Sequence, residues 1–247
     1  YTGSAIAATA TGVGDITYTY YSDSDCKTTT SAPIDAGSYY VKATSTGDDN
    51  HNGATTACTA HTINKKSVAA SWNSTSSFTY DGNTHSRALA SATVTGVNSE
   101  TVNLTTSGSG TNVGSYTTTA SISSVTGGRA NKNNYTLTNS SGAFSITKTS
   151  STISITKTGG TYTGSAISAT ATGVGNITYA YYSDSSCKTT ISTPIDAGTY
   201  YVKATSAGDN NHNGATTACT THTINKKSVA ASWNSTSSFT YDGNAHS

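Results

Sequence analysis

The sequence contains no methionine and no glutamine and only one glutamate, and leucine and arginine are also scarce. Leucine occurs three times and arginine twice in 247 residues, whereas Ser and Thr together make up roughly a third of the chain. Leu, Glu, Gln, Met and Arg are strong helix formers, and Thr, Tyr and Val suit pleated, half-buried surfaces. The composition therefore argues against helices and favours short strands.

Charge is also scarce, because charged residues make up 10% of the chain and the formal net charge is +1. This excludes the basic footprint of a nucleic-acid-binding protein and the acidic excess of a disordered tail. No apolar run approaches the ~20 residues that cross a bilayer, so we predict no membrane span. No basic and then apolar start indicates a retained signal peptide. The sequence lacks an initiating Met and starts and stops within a motif, so we expect an excerpt of a longer chain, with strand donation between subunits as the alternative.

An internal repeat dominates the sequence. Residues 1–86 recur as residues 162–247 with eleven substitutions, and weaker motifs divide that period into two alternating unit types of about 80 residues. We predict the repeats 1–65 (type A, without its first strand), 66–148 (type B) and 149–226 (type A), followed by 227–247 as the first strand of a further type B repeat. No Gly/Ser-rich or Pro-rich linker separates the repeats, so we expect stiff junctions.

Apolar and polar residues alternate within each repeat, as in Ile16 to Tyr20 and Tyr39 to Thr44, and turn residues separate these runs. A period of two is typical of half-buried strands, and many short strands indicate an antiparallel sandwich. Asp35 to Tyr39 has the form of the tyrosine corner of immunoglobulin-like domains. The fold class predicted is all-β, with tandem immunoglobulin-like sandwiches in a rod. The tyrosine corners predicted are Tyr39, Tyr116 and Tyr200.

Four sequence features resemble the MBG and YDG repeats of large bacterial surface adhesins. They are the Tyr80-Asp81-Gly82 step, the Asp35 to Tyr39 step, the Asp49 to Gly53 loop and the closing Thr62 to Lys66 segment. The resemblance covers the whole chain, although His51 and His212 stand where those repeats more often have Tyr, and the cysteines are a second departure. It implies surface exposure, tandem display and attachment, and it carries no catalytic residues.

The cysteines occur only in type A repeats, at matching positions, whereas type B contains Trp, Leu and Phe. Four cysteines allow three pairings, and the repeat symmetry favours two disulfides within repeats, Cys26 with Cys58 and Cys187 with Cys219. We interpret each as a staple that replaces a missing apolar core in a small domain. Disulfides also predict an extracellular or cell-surface location.

Metal and catalytic sites are not expected. Cys58 and His61 are three residues apart, which places them on opposite faces of a strand, so a metal site there is disfavoured. A calcium site in the acidic turns is disfavoured because Asp25 and Asp49 are replaced by Ser and Asn in the second copy. No nucleophile elbow or phosphate-binding loop occurs. We predict no enzyme activity and no cofactor.

Other modifications and surfaces stay open. A Lys–Asn isopeptide involving Lys66 or Lys148 is an alternative staple, and an ice-binding surface is disfavoured because the Thr runs do not recur at one register. Six Asn-x-Ser/Thr triplets leave glycosylation undetermined. They begin at Asn73, Asn103, Asn134, Asn139, Asn176 and Asn234.

The predicted function is that of a non-catalytic spacer in a secreted or cell-surface fibre or adhesin stalk. Its partners are the neighbouring repeats of the same chain and lateral copies in a fibre, with no nucleic acid. The alternative is a module that binds glycans or a host surface through the Tyr-rich faces around Tyr18, Tyr20, Tyr21 and Tyr40, since Tyr is an effective contact residue.

Overall fold

A computed structural model describes residues 1–232 and 238–245 of the chain. The described residues form strands joined by turns, with two 3-10 turns, and they divide into two compact units, Tyr1–Lys148 and Thr149–Ser247. The predicted all-β class is confirmed. The limit between the units falls where the predicted repeats 66–148 and 149–226 meet, and the limit at residue 65 lies inside the first unit. Part of the predicted repeat 227–247, including Trp233 and Asn234, lies outside the described residues.

The first type A repeat is built on one five-stranded antiparallel sheet. The central strand β3 pairs with β1 on one side and with both β4 and β5 on the other, and β2 extends the sheet beyond β1. Val41 and Ala43 alternate with more exposed neighbours on β3, as the sequence pattern predicts. The strands are β1 Ile16–Tyr21, β2 Thr29–Thr30, β3 Gly37–Asp48, β4 His51–Thr55 and β5 Thr59–Ile63.

The type B repeat forms a sandwich of a five-stranded sheet, in the order β7-β12-β10-β9-β8, and a parallel pair, β6 with β11. Val68 of the pair and Val102 and Leu104 of the larger sheet are buried in one apolar cluster. The strands are β6 Lys66–Ala69, β7 Ser77–Thr79, β8 Thr93–Thr95, β9 Thr101–Ser107, β10 Gly114–Thr126, β11 Tyr135–Thr138 and β12 Ser141–Thr147. The 3-10 turns span Val97–Ser99 and Lys132–Asn134.

The second unit has a six-stranded sheet in the order β14-β20-β18-β16-β17, with β19 also on β18, and a separate antiparallel pair, β13 with β15. Ile155 of the pair packs on Tyr181 and Val202 of the larger sheet, so this repeat is also a sandwich. The strands are β13 Ser154–Lys157, β14 Gly160–Thr161, β15 Thr170–Thr172, β16 Ile177–Tyr182, β17 Thr190–Ile191, β18 Gly198–Ser206, β19 Ala215–Thr216 and β20 Thr220–Asn225.

Type A repeats contain an apolar core, which the interpretation of a missing core did not anticipate. Ala169, Tyr181 and Val202 are 5% exposed or less, and Ile155 and Tyr179 pack against them. The core is built from Tyr, Val, Ile and Ala because the sequence offers no Leu, Phe or Trp there. The cysteine pair therefore supplements a small core and does not replace it.

The four tyrosines of the predicted Tyr-rich faces are divided between the two sides of the sheet. Tyr20 is buried, and the hydroxyl groups of Tyr18 and Tyr20 accept hydrogen bonds from the backbone N–H groups of Ala10 and Ala8, at 2.8 and 3.0 Å. Successive side chains of a strand point to opposite faces, so Tyr21 lies on the other side of the sheet. Only Tyr21 and Tyr40, which are directly opposite each other in the β1–β3 register, can form a shared surface.

Candidate functional site

The cysteines of each type A repeat are adjacent in the structure. Disulfides join Cys26 to Cys58 and Cys187 to Cys219, with Cα–Cα distances of 5.9 and 6.0 Å. Cys26 and Cys187 occupy equivalent turns in which both residues adopt a positive φ.

A carboxylate organises each of these turns. Asp23 accepts hydrogen bonds from the backbone N–H groups of Asp25, Lys27 and Thr28 at 3.1, 3.0 and 2.6 Å. These bonds, led by the one from Lys27, lower the pKa of Asp23. Asp184 makes the same backbone contacts in the second copy. In these acidic turns the carboxylates of Asp23 and Asp184 therefore hold the backbone in place. No group of three or more His, Cys, Asp or Glu residues in the described ranges 1–232 and 238–245 is arranged to hold a metal.

Each predicted tyrosine corner closes on a backbone carbonyl four residues earlier. The hydroxyl groups of Tyr39, Tyr116 and Tyr200 donate to the carbonyl oxygens of Asp35, Asn112 and Asp196 at 3.1, 2.8 and 3.2 Å. A glycine two residues before each tyrosine permits this, since a Cβ atom at Gly198 would lie 3.2 Å from the Tyr200 hydroxyl oxygen. The corners define the start of the central strand of each large sheet.

The most elaborate arrangement of polar groups lies where the type A repeat of the first unit meets the type B repeat. Glu100, the only glutamate of the chain, is 2% exposed there. Its Oε1 atom accepts hydrogen bonds from the Tyr1 hydroxyl at 3.0 Å and from the Arg129 backbone N–H at 2.7 Å, and its Oε2 atom accepts one from the Tyr135 hydroxyl. Three donors thus compensate a buried carboxylate, which would otherwise be costly.

The hydrogen bonds of Glu100 outweigh its burial. Burial raises the pKa of this carboxyl, but the bonds from Tyr135, Arg129 and Tyr1 together hold the pKa below its ordinary value. The phenols respond in the opposite direction. Burial and the Glu100 carboxylate raise the pKa of Tyr135 to about 12 and also raise the pKa of Tyr1. At neutral pH the carboxylate is therefore ionised and both phenols are neutral donors.

A second polar contact at this junction joins Asp35 of type A to Arg129 of type B. Arg129 Nε and Nη2 bind the two carboxylate oxygens of Asp35 at 2.8 and 2.9 Å, a bidentate geometry. Asn134, which is fully buried, donates to Asp35 Oδ1 at 2.8 Å and accepts from the Ala36 N–H at 2.7 Å. The Arg129 guanidinium, together with Asn134, lowers the pKa of Asp35 to about 2.

Apolar groups surround these contacts. Tyr1 and Ile63 of type A lie in one buried cluster with Val68 and Tyr135 of type B, and the Tyr1 and Tyr135 rings meet edge to face at 5.6 Å between centroids. Gly3 packs so closely on the type B loop that a Cβ atom there would lie 2.3 Å from Asn98 Nδ2. The chain passes from β5 to β6 with only two residues between them, so the two repeats are joined by a packed interface. We call the contacts of Tyr1, Asp35, Glu100, Arg129, Asn134 and Tyr135 the A–B junction.

The sequence pattern does not predict this junction as a site, although two residues in the sequence point to it. Glu100 is the one glutamate and Arg129 is one of two arginines in a chain poor in charge. A charged residue type that occurs only once or twice in such a sequence indicates a specific partner.

Asn134 belongs to a glycosylation triplet, but its full burial removes it from the accessible candidates.

Two other expectations have structural counterparts. His61 Nε2 lies 2.9 Å from the Ile6 carbonyl oxygen, which fits its interpretation as a strand residue. In the second copy, His222 is fully buried, with Nε2 at 2.9 Å from the Ile167 carbonyl and Nδ1 accepting from the Gly159 N–H.

Lys66 and Lys148, the isopeptide candidates, have exposed side chains. In the described part of the chain, no helix has the length and apolar character of a membrane span.

No protein-family model matches the chain, and no characterised protein matches it in sequence. Among solved structures, it is similar to Drosophila N-cadherin EC1-4, with 12% identity, coverage of 87% of this chain and 67% of that chain, and a TM-score of 0.29. Sidekick-1 immunoglobulin domains 1-4 give 12% identity, coverage of 86% and 68%, and a TM-score of 0.25. The Bacteroides ovatus mixed-linkage glucan utilization locus SGBP-B, in complex with a mixed-linkage heptasaccharide, gives 15% identity, coverage of 85% and 60%, and a TM-score of 0.15. Similarity at these levels supports no conclusion about function.

Proposed function

We propose that the chain is a non-catalytic structural region of a secreted or cell-surface fibre or adhesin stalk, built from immunoglobulin-like repeats of the MBG/YDG type. The repeats are 1–65, 66–148 and 149–226, and residues 227–247 begin another type B repeat. The observation that carries this proposal is the A–B junction, in which a buried Glu100 and a bidentate Asp35–Arg129 pair join two repeats without a linker.

The chemistry of the junction suits a spacer that resists mechanical extension. A flexible linker lets neighbouring domains reorient freely, which suits a tethered enzyme. The A–B junction instead fixes orientation through the hydrogen bond from Tyr1 to the Glu100 carboxylate and through the bidentate contact of the Arg129 guanidinium with Asp35. Its partners are therefore the neighbouring repeats of the same chain. Lateral copies in a fibre are a further expectation of the same function.

The disulfides support a location outside the cytosol. Four of four cysteines are paired, and such pairs persist in oxidising compartments. We therefore propose that the chain acts at the cell surface or in the extracellular space, with Cys26–Cys58 and Cys187–Cys219 as its covalent links.

Trypsin provides the test, because Lys65–Lys66 and Lys226–Lys227 have the same sequence context. Lys66 begins a strand that pairs with β11, whereas no strand is present at Lys226 or Lys227. Cleavage requires a locally opened backbone. We expect limited digestion, read by mass spectrometry, to cut at Lys226–Lys227 first and to spare Lys65–Lys66. Equal cutting at both pairs would contradict a rigid junction.

A second candidate, glycan or host-surface binding, is favoured by one surface. Tyr21 and Tyr40 face each other across β1 and β3, and the Lys42 ammonium lies 5.7 Å from the Tyr21 ring centroid. Tyr182, Tyr201 and Lys203 repeat this arrangement, with 5.9 Å between the Lys203 ammonium and the Tyr182 ring. A glycan array probed with the intact chain tests it. Selective binding that a Tyr40→Ala, Tyr201→Ala variant loses would favour this candidate over a pure spacer.

A further inference from the structure

Two segments with the same sequence differ sharply in exposure. Tyr1 is 9% exposed and its counterpart Tyr162 is 37% exposed, while Val68 is 7% exposed and its counterpart Val229 is 87% exposed. Ile195 is 46% exposed, although its counterpart Ile34 packs against the core of the first unit. The residues that the A–B junction buries in the first unit are thus uncovered in the second.

The difference has a specific cause in the first unit. The body of the type B repeat supplies Glu100 to Tyr1, Arg129 and Asn134 to Asp35, and strand β11 to the segment that begins at Lys66. In the second unit Tyr162 and Asp196, the counterparts of Tyr1 and Asp35, are both exposed. The Lys226–Ser232 segment, whose sequence matches Lys65–Ser71, accordingly forms no strand there.

From this contrast we propose that Tyr162, Ile195 and Asp196 form a docking surface for the body of a type B repeat joined directly after Lys226. The occupant binds Tyr162 with a buried glutamate and Asp196 with an arginine fork, as Glu100 and Arg129 bind Tyr1 and Asp35. We call this surface the A-end. The proposal rests on the structural function above and deepens it, because it identifies the partner that each type A repeat selects.

Charge and backbone chemistry support this occupant. Asp196 is exposed on the A-end and presents a carboxylate where the first unit places one against Arg129. The tyrosine corner at Tyr200 holds the Asp196 backbone just as Tyr39 holds Asp35, so the surface is already shaped. The complement of such a surface is a planar guanidinium group beside a buried carboxylate, and the type B repeat 66–148 carries this pair as Arg129 and Glu100.

A second copy of the chain does not fit as the occupant. The type B repeat of that copy already uses Glu100, Arg129 and Asn134 to bind its own type A repeat. Those residues cannot reach another Asp196 unless the existing junction opens. The surface therefore selects a type B repeat that follows it in the same polypeptide, and residues 227–245 already match the start of one, with Ala245 in place of Thr84.

The experiment extends the chain of 247 residues with a second copy of residues 87–148 after Ser247, which completes a type B repeat. We expect trypsin cleavage at Lys226–Lys227 to become at least about tenfold slower, since cleavage tracks the open population of the backbone. Hydrogen exchange at the segment after Tyr162 should slow in parallel. Lys65–Lys66 in the same molecule is the internal control and should not change.

Two variants make the test specific. Asp196→Ala in the extended chain should restore cleavage at Lys226–Lys227 without affecting Lys65–Lys66, and Asp35→Ala should do the reverse. Hydrogen exchange in the added segment reports whether it folds. The proposal is overturned if the added repeat folds while Lys226–Lys227 stays as labile as in the unextended chain. It is equally overturned if the added segment stays unfolded, because the same sequence folds against the first type A repeat. Either of these two outcomes would leave unchanged the trypsin result at Lys65–Lys66 and the glycan array, which are the tests of the proposed function. Failure of this proposal is therefore distinguishable from failure of the proposed function.

Discussion

At the scale of single residues, the chain places its one glutamate and one of its two arginines where their geometry is most restrictive. Glu100 is buried among three donors, and Arg129 lies between the two repeats. The Asp residues, by contrast, mostly fix turns, as Asp23 and Asp184 do. Turn chemistry was predictable because it acts over a few neighbouring residues. The role of Glu100 was not, because Tyr1 is 99 residues away in sequence.

Replacing Glu100 by Gln tests the buried carboxylate. The amide keeps the shape but offers one acceptor oxygen and two N–H donors to a site that presents the Tyr1 and Tyr135 hydroxyls and the Arg129 N–H. We expect the free energy of unfolding of the first unit to fall by about 2–3 kcal/mol, the cost of leaving buried donors unpaired. Urea unfolding followed by Trp72 fluorescence in a Trp233→Phe background measures it. The control is Asp15→Asn, the change that the second copy already carries, and it should have almost no effect.

His222 predicts a pH dependence for the second unit. Burial lowers the pKa of His222, and the hydrogen bond to the Ile167 carbonyl opposes this shift only in part. The unfolded chain therefore binds a proton at a higher pH than the folded chain does, and stability is lost as the pH falls below the ordinary imidazole pKa of about 6.5. Hydrogen exchange in β20 should accelerate between pH 7 and pH 5 once it is corrected for intrinsic exchange.

The matched variant is His222→Gln, which removes the titrating group. Its β20 exchange, corrected in the same way, should be flat across this pH range, whatever its absolute level. A profile that keeps the slope of the natural chain would show that another group is responsible.

At the scale of elements, identical sequences form a strand in one repeat and no strand in the other. The difference follows from whether a neighbouring strand is present to pair with the segment. Thr170–Thr172 pairs with β13, and its counterpart at residues 9–11 forms no strand. Lys66–Ala69 pairs with β11, and its counterpart at 227–230 forms none. The period of two predicted the strands β1 and β3. It could not reveal these short edge strands, since their stability depends on a distant partner.

Each disulfide should stabilise only the repeat that contains it. Cys187 and Cys219 are separated by 32 residues, and a link across such a loop contributes about 3–4 kcal/mol in the chain-entropy model. A Cys187→Ser, Cys219→Ser variant should lose about that much in the second unit and leave the first unit unchanged. Protection of β18 and β3 from hydrogen exchange reports the two units separately, and Cys26→Ser, Cys58→Ser is the reciprocal control. Intact mass without reductant should show both links in the natural chain.

At the scale of the whole molecule, the two kinds of repeat are stabilised by different interactions. Type A combines a small Tyr, Val and Ala core with a covalent link, and type B combines a larger apolar core with the residues that recognise type A. The alternation of types was evident in the sequence. Their dependence on each other was not, because the bonds of the A–B junction connect residues far apart in the chain. Recognition between unlike neighbours also limits pairing between like ones, which reduces misfolding in tandem arrays.

The proposed stalk function requires resistance to extension, and the disulfides predict how the chain would provide it. When a type A repeat unfolds under force, the residues between its two cysteines stay closed and add no length. Reduction should release that loop of 32 residues, which adds about 11 nm to the unfolding step at roughly 3.5 Å per residue. Single-molecule pulling of the chain, with and without reductant, measures the step. The first type A repeat should also need more force than its Asp35→Ala variant, because the A–B junction must break before β3 is exposed. If that variant unfolds at the same force, the junction carries no load, and the stalk function loses its main structural argument.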